Sequence, residues 1–298
     1  MKARNFLEVD DLSATELSSV LDLSEAPAQP VLHGIGVALI FEKPSLRTRN
    51  SSEMAVVQLG GHPAYITNAE AGLDTRESAP DVVQTLQGYY GIIAARVFGH
   101  DKLERMAAVA KVPIVNLLSD RAHPVQALAD LLTIRQEFGV VAGRRVSWLG
   151  DFTNVARSLT IGVMLQGGSV SVACPDGYGP NDDDLARFAA LTTNGGCFEV
   201  ADNPVSCVTN SDVLSTDAWY SMGQEDEADL RRPIMEPYRV DDALLKHAAP
   251  TAIFLHCLPA HRGDEATSEV LDGPQSRIWP QAHNRMHTMK GLFSWLCE

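Results

Sequence analysis

The sequence predicts an α/β protein built from two doubly wound parallel-sheet domains, with a C-terminal helix packing back on the first. Three observations carry this expectation. Short apolar runs alternate with amphipathic stretches through both halves, as expected of buried parallel strands covered by helices on both faces. The segment GVVAGRR at residues 139–145 interrupts that rhythm, after which it restarts. A length of 298 residues, 45% hydrophobic and 21% charged, leaves room for two cores. The expected division is residues 1–138 with 283–298 as one domain and 139–282 as the other.

Composition narrows the function. Lys and Arg number 24 against 38 Asp and Glu, a net charge of −14. Such an acidic surface argues against general binding of nucleic acid or anionic membrane. The five cysteines are widely spaced with no CxxC pair, which fits reduced thiols in a cytoplasm better than a disulfide framework or a zinc site. No apolar run is long enough to span a bilayer, and the first residues, MKARN, open no signal-peptide pattern. A cytoplasmic enzyme or binding protein is expected.

Taken in order, Ser13 and Glu16 have capping-box spacing and start an amphipathic helix through Leu17, Val20 and Leu21. Residues 37–41, VALIF, read as a buried parallel strand and 54–59 as a helix. Between them lies FEKPSLRTRNSSE, residues 41–53. In a strand-to-helix turn the first helical N–H groups lack internal partners and the helix dipole adds positive charge, so an anion is favoured there. Ser45, Arg47, Thr48 and Arg49 add hydroxyls and guanidinium forks suited to phosphate or carboxylate. Taken alone, such a turn is more often an exposed helix start with Ser45 as its cap.

A strand at 62–66 and a polar, glycine-containing loop at 68–76 follow. A helix begins at Glu77 and Ser78 and runs through Val82, Val83, Leu86 and Tyr89; a strand at 92–95 then ends at Arg96. An Arg at the carboxyl end of a parallel strand faces the crevice where open α/β sheets bind ligands, or is simply a surface strand end. A helix at 101–109 and a strand at 113–116 precede LSDRAHPVQ, in which Pro124 opens the helix 127–138. His123 therefore sits beside free helical N–H groups, a second place for an oxyanion or carbonyl oxygen; alone, it would more often be a cap or a core histidine.

The second half reads as strand 146–149, turn GDFTN, helix 155–165 and strand 169–173, then helix 182–191 and strands 197–200 and 213–216. GDFTNV lacks the second and third glycines that let backbone approach a pyrophosphate, so NAD is rejected. Next come DAWYSMGQE, an acidic stretch at 226–232, a strand at 252–255 ending in HCLP, and a helix at 281–296 carrying Arg285, His287 and Lys290. By themselves Cys257 reads as a small buried hydrophobe, Asp217 as a turn former and Met222 as packing.

FEKPSLRTR, HPVQALADLLTI, GDFTNV, DAWYSMGQE, HCLPAHRG and AHNRMHTMKGL, in this order and spread over nearly the whole chain, resemble the aspartate/ornithine transcarbamoylase family, with the later motifs closest to its ornithine branch. The resemblance implies carbamoyl transfer from carbamoyl phosphate to L-ornithine without metal or cofactor, in a homotrimer with shared active sites. It implies that Ser45, Leu46, Arg47 and Thr48 hold the phosphate. Arg96, His123 and Gln126, in the segment with Pro124 and Val125, would bind the carbamoyl group, with Arg285, Cys257 and Leu258 completing that site. Asn154, Asp217, Ser221 and Met222 would hold ornithine, with Asp217 and Cys257 orienting its δ-amino group. Asp81 matches a carboxylate that steers Arg47. Arg96, His123, Asp217, Cys257 and Arg285 are thus the expected catalytic set.

Departures from the family pattern are Leu46 for Thr, Ser52 for an aromatic residue, Phe152 and Thr153 for Gly and Asn, and Gly72 nearest the place of a loop glutamine. Two alternatives stay open: a transcarbamoylase for a related amine, N-acylornithine or putrescine, and a catalytically weak paralogue that binds ligand.

Overall fold

The computed structural model describes residues 4–220 and 227–298. Contacts divide the chain into two units, Met1–Leu132 with His283–Glu298, and Thr133–Ala282. In the first unit a 3₁₀ turn at Val9–Asp11 precedes α1 (Ala14–Glu25), and the chain then runs β1 (Gly36–Phe41), α2 (Leu46–Gln58), β2 (His62–Thr67), α3 (Asn68–Ala71), α4 (Ala79–Leu86), β3 (Ile92–Arg96), α5 (His100–Val109), β4 (Ile114–Leu118) and α6 (Pro124–Phe138). The second unit continues with β5 (Arg145–Leu149), α7 (Asn154–Leu165), β6 (Ser169–Ala173), α8 (Asp182–Leu191), β7 (Phe198–Val200), α9 (Pro204–Val208), β8 (Val213–Thr216), α10 (Ala228–Met235), α11 (Asp242–Leu245), β9 (Ile253–His256), α12 (Ser268–Asp272) and α13 (Ile278–Leu296). Residues 133–138, expected in the first domain, group with the second unit. Glu137 pairs with Arg277 at 2.7 Å, and the Phe138 ring lies 4.9 Å from the Arg144 guanidinium.

Both sheets are parallel, in the orders β2-β1-β3-β4 and β7-β6-β5-β8-β9. Their strands are nearly continuous apolar runs because helices cover both faces. Ile40, Ile93, Leu103 and Met106 are fully buried in the first core, and Leu149, Leu214, Phe254 and Val240 in the second. Register determines where the loops emerge. Phe41 pairs with Arg96 and Arg96 with Leu118, so the segments following β1, β3 and β4 leave the sheet at one level. In the second sheet Leu149 pairs with Thr216 and Thr216 with His256, which brings out the segments after β5, β8 and β9 in the same way.

Several expected boundaries move. α2 starts at Leu46, not at 54, so the basic residues are its first turn; LRTRNSSE has no apolar periodicity to reveal this. α7 and α13 likewise begin earlier than expected, at Asn154 and Ile278, while α6 opens at Pro124 as expected. Tyr89 lies beyond the end of α4 and is exposed. The polar stretch at 68–76, expected as a loop, begins with a short helix. Thr67 and Glu70 form a capping box for α3, and Gly72 ends that helix with φ +55°. There Asp74 accepts Ala79 N–H at 3.0 Å and is clasped by Arg105, which holds its carboxyl down to about 2. The helices α9, α11 and α12 are only four or five residues long and show no helical period in the sequence.

In the first unit α13 lies against α1. A Cβ at Gly291 would come within 2.4 Å of the Val20 carbonyl oxygen and 2.8 Å of Ser24 N. Lys290 donates to the Ala26 carbonyl just past α1, and burial lowers its pKa. Because two of the three crowding atoms are backbone, the third being Ser24 Oγ, Gly291→Ala should destabilise the protein by about 1–3 kcal/mol, read as a lowered urea midpoint at unchanged slope; an unchanged midpoint would show that the helices do not meet there.

Candidate functional site

Within the first unit, Ser45 caps α2: its side chain accepts the Thr48 N–H at 3.3 Å, and its carbonyl accepts Arg49 N–H at 3.2 Å. Arg47 follows in the open first turn, half-buried, whereas Leu46 is 77% exposed. A side chain pointing to solvent leaves the backbone N–H of Leu46 as its only polar offering to the turn. Arg49 is turned away from its neighbours. It pairs with Glu53 at 2.9 Å and lies 3.7 Å over the Tyr65 ring. Asp81 accepts from the Ser78 hydroxyl at 2.7 Å, and its N–H donates to Ser78 Oγ at 3.2 Å at the start of α4. Ser52 is fully buried, and among the described residues its hydroxyl makes no hydrogen bond.

Arg285, from α13, is 2% exposed. It donates to Gln126 Oε1 at 2.6 Å and to Thr48 Oγ1 at 3.0 Å, tying α13 to α6 and α2. Gln126 in turn donates to Asp130 at 2.7 Å. His123 and Arg96 are buried as well, and Val125 lies wholly inside behind Pro124. Burial, then the charges of Arg285, Arg96 and Arg47, push the His123 pKa well below its usual 6.5. The ring is therefore neutral at physiological pH, a hydrogen-bond donor without a charge of its own. Since the unfolded chain protonates His123 first, this residue costs stability as pH falls below about 6.5 and nothing above it.

Within the second unit, Asp217 follows β8. Its Oδ1 accepts the Ala218 N–H at 2.8 Å and the Cys257 thiol at 3.0 Å, and Oδ2 accepts Thr153 Oγ1 at 3.4 Å. Thr153 caps α7, of which Asn154 is the first residue. Ser221 and Met222 lie outside the described residues. Arg231 closes the same region by pairing with Asp151 at 2.9 Å and donating to the Trp219 carbonyl at 3.2 Å.

The sequence reading missed the support beneath Cys257. His256 Nδ1 accepts the Leu258 N–H at 2.9 Å, so Nε2 carries the proton and donates to Glu265 Oε1 at 3.1 Å. Glu265 is fully buried and also accepts the His261 N–H at 2.6 Å. These bonds hold Leu258 at φ +59°, a left-handed conformation unusual for a residue other than glycine. Nothing local in the sequence marks Glu265. The donor atoms of Asp217, His256 and Cys257 lie within 4.8 Å of one another. With both ring nitrogens of His256 already engaged, the trio reads as a hydrogen-bonded cluster.

Residues 4–136 match the model of the aspartate/ornithine carbamoyltransferase carbamoyl-P binding domain, and 142–296 that of the Asp/Orn binding domain. The chain belongs to the aspartate/ornithine carbamoyltransferase family. As a member it is a transferase, an α/β enzyme with two parallel sheets. It is 46% identical to an ornithine carbamoyltransferase of Acidothermus cellulolyticus, over 99% of this chain and 97% of that one. The solved ornithine carbamoyltransferase of Pyrococcus furiosus superimposes with a TM-score of 0.94 at 41% identity, covering 98% of this chain and 96% of the other. A solved N-acetyl-L-ornithine transcarbamylase mutant gives a TM-score of 0.88 at 26% identity, covering 98% and 99%.

Replacing Glu265 by Leu strands the His256 Nε2–H and the His261 N–H in the interior. The expected loss is about 1–3 kcal/mol for each group, measured by chemical denaturation, with Glu265→Gln losing less because its carbonyl still accepts. Equal stability of the Leu variant would remove the support assigned to Glu265.

Proposed function

We propose that this chain transfers the carbamoyl group of carbamoyl phosphate to the δ-amine of L-ornithine, releasing L-citrulline and inorganic phosphate. The observation that carries the reading is the neutral His123 held among the charges of Arg47, Arg96 and Arg285. The neutral amine's lone pair attacks the carbamoyl carbon, the bond from that carbon to the phosphate oxygen breaks, and phosphate leaves with the electron pair and takes up the proton that the nitrogen sheds. Negative charge grows on the carbonyl oxygen and the departing phosphate. Donors already aimed at those oxygens stabilise it without reorganising.

In this reading the α2 start, Ser45 with the backbone of Leu46 and with Arg47 and Thr48, takes the phosphate. Arg96, His123 and Gln126 take the carbamoyl group, and Arg285 joins them from α13. Pro124 presets the first turn of α6, and Val125 packs beneath it. Asn154, Asp217, Ser221 and Met222 hold ornithine. The δ-ammonium, with a pKa of roughly 10 as in lysine, must lose a proton before it can attack. Asp217, already fixed by Cys257 and Ala218, orients the amine, and the backbone of Cys257 and Leu258 closes on the carbamoyl group.

The same reading makes the protein a cytoplasmic homotrimer with shared active sites. No helix among the described residues is long and apolar enough to cross a membrane. Sedimentation velocity should show a species of three chains.

The decisive assay compares L-ornithine, N-acetylornithine, putrescine and L-aspartate as acceptors of the carbamoyl group from carbamoyl phosphate. Turnover with L-ornithine alone is expected, and His123→Ala should lower kcat by about 10²–10³-fold. Preference for N-acetylornithine or putrescine would transfer the assignment to a related amine. No turnover with any amine by a folded trimer would leave a binding paralogue.

A further inference from the structure

His100, the first residue of α5, is 4% exposed and has no part in the chemistry above. Its Nδ1 lies 2.7 Å from the Ser119 hydroxyl. That hydroxyl is the hub of the turn between β4 and α6. It accepts from Asn116 Nδ2 and from the Ala122 N–H, each at 3.3 Å, while Ser119 N–H donates to the Ala122 carbonyl at 2.9 Å. A serine hydroxyl has one proton and two acceptor lone pairs. Asn116 Nδ2 also donates to the Leu7 carbonyl at 2.9 Å and lies equally 3.3 Å from the Ala122 oxygen, so the firm amide partner of the hydroxyl is Ala122 N–H, and its shortest contact is the one to His100 Nδ1.

The carboxylates around Nε2 favour the ring proton there, which leaves His100 Nδ1 to accept from the Ser119 hydroxyl. Nε2 faces the carboxylates of Glu8 and Glu104, each 4.0 Å away, and Glu104 is paired with Arg121 at 2.8 Å. The backbone N–H of His100 donates to Asp120 Oδ1 at 2.8 Å. The residue thus grips the turn twice, by ring and by backbone. Directly after Ala122 comes His123.

We propose that His100 is a positioning residue for carbamoyl transfer: acting with Ser119 and Asp120, it fixes the turn at 119–122 and so sets where His123 stands among Arg47, Arg96 and Arg285. This inference rests on the function proposed above. Only the neutral ring fits the hub. A proton on Nδ1 would make it a donor, and the Ser119 hydroxyl could no longer donate to it. Burial and Arg121 act in the same direction, lowering the His100 pKa against the opposing pull of Glu8, Glu104 and Asp120.

The test compares His100→Leu, which abolishes the grip on Ser119, with His100→Asn, whose amide reaches the place of Nδ1, and with Ser119→Ala, which removes the hub. Steady-state kinetics for both substrates, calorimetry of carbamoyl phosphate binding and thermal midpoints are measured on each full-length variant. Displacing a catalytic group slightly costs on the order of tenfold to 10²-fold in rate. His100→Leu and Ser119→Ala should lower kcat to that extent and weaken carbamoyl phosphate binding, leaving the KM for ornithine unchanged, and His100→Asn should recover most of kcat. Parent-like kcat in His100→Leu, or a loss that follows the thermal midpoint and is not recovered by Asn, would overturn the proposal. If the parent itself turns over no amine, the functional reading fails separately. Calorimetry then decides: weaker carbamoyl phosphate binding in His100→Leu than in His100→Asn supports positioning, and equal binding refutes it. Should His100→Leu not fold, Ser119→Ala against His100→Asn makes the same comparison.

Discussion

The buried guanidinium of Arg285 is the interaction on which the first unit's site depends. Its donors reach Gln126 and Thr48, residues 159 and 237 positions away in sequence, and so pull three helices onto one point. Taking a charge out of water is costly unless other groups replace its hydration. Here an amide oxygen and a hydroxyl do so, and neither cancels the charge. Arg96 is buried beside the same histidine and Arg47 stands at the helix start, so positive charge accumulates locally in a chain whose net charge is −14. His123 responds by staying neutral. An arrangement of this kind is completed by a dianion with a carbonyl group, and carbamoyl phosphate has both.

Parallel topology explains how residues so far apart in sequence arrive together. Every strand of a parallel sheet presents its carboxyl end on the same side, and open α/β sheets bind ligands there. Pairing of Phe41 with Arg96 and of Arg96 with Leu118 sets the start of α2, the strand-end arginine and the His123 turn at one level. The second sheet repeats this device with different chemistry. There the Asp217 carboxylate is fixed by a thiol and a backbone N–H, while His256 and Glu265 hold the left-handed Leu258 turn from beneath. Fixing the carboxylate before the substrate arrives reduces the ordering cost of binding.

Much of this was legible in the sequence because buried parallel strands leave continuous apolar runs and site residues follow directly after them. Arg96 and His123 stood out as candidates in that way, whereas Asp217 and Cys257 were singled out only by the resemblance to the family. Helix starts were harder to see. The first turn of α2 is polar apart from Leu46, which faces solvent, and its position became clear only from the Ser45 cap. Gly72, which stands near the place of a family glutamine, is the left-handed end of α3, where a Cβ would approach Arg76 Cβ to 2.7 Å. A glutamine there would be strained, so the departure is built into this loop's conformation. Pairings between distant residues, such as His100 with Ser119 and His256 with Glu265, leave no periodic trace. The Gln126–Asp130 bond does have helical i, i+4 spacing and could have been anticipated.

The central claim is that His123 works as an uncharged donor inside a cluster of guanidinium groups. Nitrogen-15 NMR of histidine-labelled protein, titrated from pH 8 to pH 5 with His123 assigned by substitution, tests it most directly. Ring shifts of a neutral imidazole are expected at pH 6.5, where an ordinary histidine is about half protonated, while the protein remains folded. Titration of His123 near the ordinary 6.5 would contradict it, because a cationic ring there would mean that the surrounding arginines are screened or lie elsewhere.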